Sequence, residues 1–120
     1  MGIDLTLVMT WPFVNPARNL SSDFFPANKI DLDRDSELWD CIRKLPSNQL
    51  PMEMRWFEDD GLKSRTDDRY DTPLRYVRAA DIAARIGPRG EDRPWSRWNA
   101  AVMEFLGRID PETWVVLFWH

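Results

Sequence analysis

The chain is poor in the residue types that most enzyme chemistry depends on. In 120 residues it has one histidine (His120), one cysteine (Cys41), three lysines and five glycines. A lone cysteine closes no internal disulfide, which fits a reducing cytoplasm. No Cys–Cys spacing makes a zinc pattern. Cys41 falls on the apolar face of an expected helix, where a small hydrophobe is the ordinary occupant. A Cys–His nucleophile pair would therefore need the last residue folded onto that helix. The glycines at 2, 61, 87, 90 and 107 form neither GxGxxG nor GxxxxGK, so there is no phosphate loop. No apolar run approaches the ~20 residues of a membrane span. The opening MGIDLTLVMT lacks the basic segment of a secretory signal. Its Gly2 and Thr6 match a myristoylation pattern, but the same residues alternate as a strand does. Excess positive charge is missing too. A net charge of −4 argues against electrostatic binding to nucleic acid or an anionic membrane, and leaves proteins as partners.

What is present in quantity is tryptophan, arginine and aspartate. Seven tryptophans stand at 11, 39, 56, 95, 98, 114 and 119, and thirteen arginines face fourteen aspartates. Trp carries a large apolar surface and an N–H that wants a partner, so a tryptophan-heavy core is the ordinary outcome. Arginine pairs bidentately with carboxylates and stacks on indoles, so an Arg–Asp-laced surface is expected. The length suits one domain, 1–120, that buries about 65 % of the surface its unfolded form exposes.

IDLTLVM alternates Ile3, Leu5, Leu7 and Met9 with Asp4, Thr6 and Val8, the pattern of a half-buried strand. WPFVNPARNLSSDFFPAN is an irregular, proline-rich connection, and KIDLD a short strand. A helix follows, capped by Asp33 or Asp35, with Leu38, Cys41, Ile42 and Leu45 on one face and Pro46 beyond its end. MEMRWF and LRYV alternate as strands, the second setting Leu74 and Tyr76 opposite Arg75 and Val77. AADIAARI is a short helix stopped by Gly87 and Pro88. The spacing of Trp95, Trp98, Val102, Phe105 and Ile109 predicts a helix over 93–108, with Asp92 as its cap. TWVVLFWH is apolar on both faces and needs cover on both sides, so it belongs at the centre of a sheet. Without a steady β-α-β rhythm the class is α+β: a mostly antiparallel sheet, first and last strands central, against two or three helices. Oligomeric state is open, since a two-faced last strand could pair with a second copy.

The most charged stretch is residues 58–72, read as a loop of some fourteen residues between two strands. Such length leans towards function. Its Asp59, Asp60, Arg65, Asp67, Asp68, Arg69 and Tyr70 are the candidate partner-binding residues. Three nearby aspartates could hold a hard cation, but the interleaved arginines compete for them. A metal-dependent hydrolase using Asp31, Asp33, Asp67 or Asp68 is the alternative from another class. DLDRDSE starts like a calcium loop, then has Ser36 and Ile42 where glycine and glutamate are required. A second alternative is a small-ligand pocket walled by Trp56, Tyr76, Trp95 and Trp98. RPWSRW adds Arg93 and Arg97 beside the last two, the composition of an interface hot spot if they are exposed. No catalytic residue, metal or cofactor is expected.

Taken together, IDLTLVM, KIDLDRDSELWDCIRKL, YDTPLRYVRAADIA and FLGRIDPETWVVLFWH resemble a group of small proteins encoded by tailed bacteriophages and prophages, over nearly the whole chain. The related pattern has glycine where Asp71 stands, which argues against a special role for that carboxylate. The resemblance brings no activity with it. It implies a non-catalytic accessory product in the cytoplasm of an infected bacterium, with a host protein as partner, a defence component among the candidates.

Overall fold

The computed structural model describes residues 2–9, 23–24, 28–86 and 94–120. Two neighbouring strands in space come from the two ends of the chain. β1 (Leu5–Met9) lies antiparallel to β8 (Trp114–Trp119), with Thr6 opposite Phe118 and Leu7 opposite Leu117. β3 (Asn28–Asp31) adds to the free side of β1, β7 (Arg75–Arg78) to β8, and β4 (Asn48–Gln49) to β7. The five-stranded sheet therefore runs β3-β1-β8-β7-β4, antiparallel throughout. The strands expected at its centre stand there.

One face of this sheet packs on helices α1 (Ser36–Arg43), α2 (Ala79–Arg85) and α3 (Arg97–Leu106). Leu5, Leu7, Val77, Val115 and Leu117 meet Leu38, Ile42, Ile82, Val102 and Leu106 there. Asp35 caps α1 by accepting from the N–H groups of Glu37 and Leu38. The cap of α3 is Ser96, whose Oγ accepts from Asn99 N at 3.1 Å, so the helix is shorter than the expected 93–108. Asp92, Gly87 and Pro88 lie outside the described residues, as does the 11–22 part of the proline-rich connection. Asn99, fully buried, bonds through its side chain to the N–H and C=O of Asp33, fastening α3 to the segment after β3.

The opposite face is covered by a second, smaller sheet. β5 (Glu53–Glu58) and β6 (Gly61–Arg65) form an antiparallel hairpin, with the two-residue β2 (Asp23–Phe24) parallel to β5. Met54 and Trp56 of the hairpin pack on Val8, Tyr76, Trp114, Val116 and Phe118. This second cover corrects two expectations. β1 is buried on both faces, not one, because Thr6 and Val8 lie under the hairpin side. β8 has both edges paired, so it offers no strand edge to a second copy. No helix among the described residues is long and apolar enough to cross a membrane.

Candidate functional site

The stretch 58–72 is not the long loop it resembles. Glu58 ends β5, Asp59 and Asp60 make a two-residue turn, and β6 begins at Gly61 with φ +114°, a conformation that needs glycine. The inward positions of the hairpin are Met54, Trp56, Glu58, Lys63 and Arg65; the outward ones include Phe57 and Leu62, which face each other across the strands. Phe57 is 72 % exposed and Leu62 49 %. After β6 the chain returns through a tight turn, held by Asp68 N–H to Thr72 O at 2.9 Å and Leu74 N–H to Thr66 O at 2.9 Å. The Asp68 carboxylate accepts from the N–H groups of Tyr70 and Thr72, the local bonding that makes aspartate a turn residue. Asp71 in this turn has φ 58°.

At the centre of the surface between hairpin and turn stands Glu58. Its Oε2 accepts from Trp56 Nε1 at 2.7 Å and from Arg65 Nε, while Oε1 accepts from Arg65 Nη2 at 2.7 Å and Arg69 Nη2 at 3.0 Å. Its side chain is only 11 % exposed. The Arg65 guanidinium, helped by the Trp56 N–H and Arg69 against the opposing effect of burial, holds its carboxyl down to about 2. Arg65 in turn lies over the Phe118 ring, and Lys29 over that of Trp56. Lys63 reaches Asp60 at 2.9 Å, and that contact lowers the Asp60 pKa.

Beside this cluster a cleft of about 400 Å³ opens between the hairpin and the edge of the main sheet. Lys29, Trp56, Phe57, Glu58 and Arg69 line one part, and Thr6, Asp31, Phe118 and His120 another. The register explains the second group, because Thr6 pairs with Asp31 on one side and Phe118 on the other. Thr6 Oγ1 donates to Asp31 Oδ1 and stands 2.8 Å from His120 Nε2. A hydroxyl has one proton to give, so Nε2 carries its own and donates to Thr6. In a nucleophile–base–orienter relay the histidine stands in the middle as acceptor; here it is an end donor, and the hydroxyl proton points to the Asp31 carboxylate.

The residues singled out from sequence are thus partly gathered. Asp59, Asp60, Arg69 and Tyr70 are exposed, with Asp59 and Arg69 bordering the cleft. Arg65 and Asp68 are engaged within the chain. Arg65 is turned inward to neutralise Glu58, and Asp68 is buried because its carboxylate holds the turn. Asp67 is half-buried beside the bridge to Pro73. The four-residue aromatic pocket does not assemble. Trp56 and Tyr76 lie under the hairpin, Trp95 packs on the helical face, and Trp98 is 50 % exposed with its N–H on Asp31 O. The suggested metal carboxylates are dispersed as well. Asp31 accepts from Thr6, Asp33 from Ser96, and Asp68 from backbone. Among the described residues no three His, Cys, Asp or Glu side chains are grouped to hold an ion. Sequence reading missed Glu58, Phe57 and Leu62. The Asp60–Gly61 pair between alternating stretches was the available signal for the hairpin.

No protein-family model matches the chain, and neither the curated proteins nor the solved structures contain a match.

Proposed function

We propose that this protein acts by binding another protein through the outer side of the β5–β6 hairpin tip and the adjoining 69–70 turn. The observation that carries the reading is the exposed cross-strand pair Phe57 and Leu62, next to the charged turn residues Asp59 and Asp60, with Arg69 beside Phe57. An apolar centre with a polar rim is the anatomy of a protein interface. The resemblance to phage and prophage products makes a bacterial host protein the expected partner, and a component of a defence system the specific candidate. Nothing in this role requires turnover.

The test is a double substitution, Phe57→Ser with Leu62→Ser. Both side chains project into solvent, so folding stability should change by no more than about 0.5 kcal/mol each. If they form the centre of the contact, truncation costs about 2 kcal/mol or more, a loss near thirtyfold in affinity. Affinity capture from host lysate, quantified by mass spectrometry for wild type and variant, reads the difference. Undiminished capture of the same protein by a folded double variant would rule the surface out.

A further inference from the structure

A second concavity lies on the helical face of the main sheet, where the end of α1, Ser47 and the 68–73 turn meet β7 and β8. It encloses about 170 Å³. At water's share of about 30 Å³ apiece that is space for some six waters, too little for a nucleotide and enough for a small metabolite. Its floor is apolar, made by Ile42, Leu117 and Trp119. Three charged side chains line it: Arg43, Arg75 and Asp68.

None of these charges is consumed by a close ion pair. Arg43 lies over the Trp119 ring at 4.5 Å, and its nearest carboxylate, Asp40, is 3.9 Å away. Arg75 donates from Nε and Nη2 to the side chain and backbone oxygens of Ser47, both at 2.8 Å, which fixes its direction while leaving donors over. Asp68 is 6 % exposed, and both hydrogen bonds to its carboxylate land on Oδ1. Oδ2 has no donor among the described residues. A carboxylate oxygen on the lining of a cavity, with no donor of its own, is open to a bound cation. An arginine-lined wall facing the same space calls for an anion.

We infer that this cavity binds a free aliphatic α-amino acid. The ammonium sits on Asp68 Oδ2, the carboxylate on Arg75 with Arg43 beside it, and the side chain on Ile42, Leu117 and Trp119. The site shares the 68–72 turn with the proposed protein-binding surface, but its ligand contacts are other residues and leucine binding is read with no protein partner present.

The probe is L-leucine, titrated into the full chain by calorimetry, with backbone amide NMR shifts of residues 68–72 as a second readout. Leucine methyl ester lacks the carboxylate charge and 4-methylpentanoate lacks the ammonium. Each should bind at least about tenfold more weakly than leucine, since each loses one charged hydrogen-bonded contact. Asp68→Asn keeps an oxygen for the turn N–H groups. It should weaken leucine by about tenfold and leave 4-methylpentanoate unchanged, a selectivity that general damage to the fold would not produce. Arg75→Gln should do the converse, weakening leucine and sparing the ester. Absence of heat and of amide shifts with leucine up to its solubility limit would overturn the assignment. So would equal binding of leucine, ester and acid, or leucine binding untouched by Arg75→Gln.

Discussion

Replacing Glu58 with glutamine tests whether the buried ion cluster orders the hairpin against the sheet. The carboxyl falls from an ordinary 4.5 to about 2 on folding, chiefly through Arg65. At 1.36 kcal/mol per unit, that displacement of about 2.5 corresponds to about 3 kcal/mol favouring the folded state when the group is ionised. The folded pKa is depressed, so the contribution is complete above pH 4.5 and disappears as pH falls through about 2. Glutamine keeps the shape, but it presents N–H donors where Glu58 accepts from Trp56, Arg65 and Arg69. It also leaves a 23 %-exposed Arg65 without its counter-charge. Melting of wild type and Glu58→Gln should differ by about 10 °C at pH 7. The gap should narrow below pH 4.5 and close near pH 2. A gap of equal size at pH 7 and pH 3, or none at pH 7, would refute the assignment of this energy to Glu58.

Two of the buried indoles, Trp39 and Trp95, should respond unequally to loss of their N–H. Trp39 Nε1 donates to Ile3 O at 2.7 Å, so Trp39→Phe should cost about 1–3 kcal/mol by denaturant titration. Trp95 Nε1 has no partner among the described residues, so Trp95→Phe should cost less than Trp39→Phe, chiefly through lost packing. Asp71→Gly relieves a non-glycine residue at φ 58°, and should leave stability unchanged or raised by up to about 1 kcal/mol in the same assay. Asp35→Ala removes the α1 cap and should lower stability by about 1 kcal/mol; an unchanged midpoint would mean the cap is redundant.

What could be read without coordinates was what depends on local pattern. The doubly apolar WVVLFW required a two-sided central strand and has one. Leu74 and Tyr76 do face away from Val77, and Asp35 does cap α1. β6 escaped because its polarity is inverted. Leu62 and Ser64 point to solvent, while Lys63 and Arg65 face inward, Arg65 with its guanidinium over the Phe118 ring. A period-2 search for apolar residues cannot see such a strand. The Thr6–Asp31–His120 chain was equally illegible. Its members are 25 and 114 residues apart and meet only through the pairing of β1 with β3 and β8. The expected start of α3 failed for a third reason. Trp95 continues the helical spacing, yet Ser96, bonded to Asp33 Oδ2 and capping Asn99, sets where the helix begins.

The Glu58 cluster and the Asp68 turn also bear on how the proposed surface would gain affinity. Ordering exposed side chains at an interface costs about 0.5–1.5 kcal/mol for each flexible one. Arg69 is already tied to Glu58 through its guanidinium and to Trp119 O through its backbone N–H, and the Tyr70 N–H is held by Asp68. The turn is therefore paid for on folding, and a partner meeting Arg69 and Tyr70 finds their backbone in place. Glu58 touches no partner in this scheme, yet Glu58→Gln should weaken capture under conditions where the fold is intact, because Arg69 is released. Charge reversal at Asp59 should act differently, through the rim, changing association rate and its salt dependence more than dissociation. Equal effects of the two substitutions on dissociation would place Glu58 among the contacts and remove the case for a preformed surface.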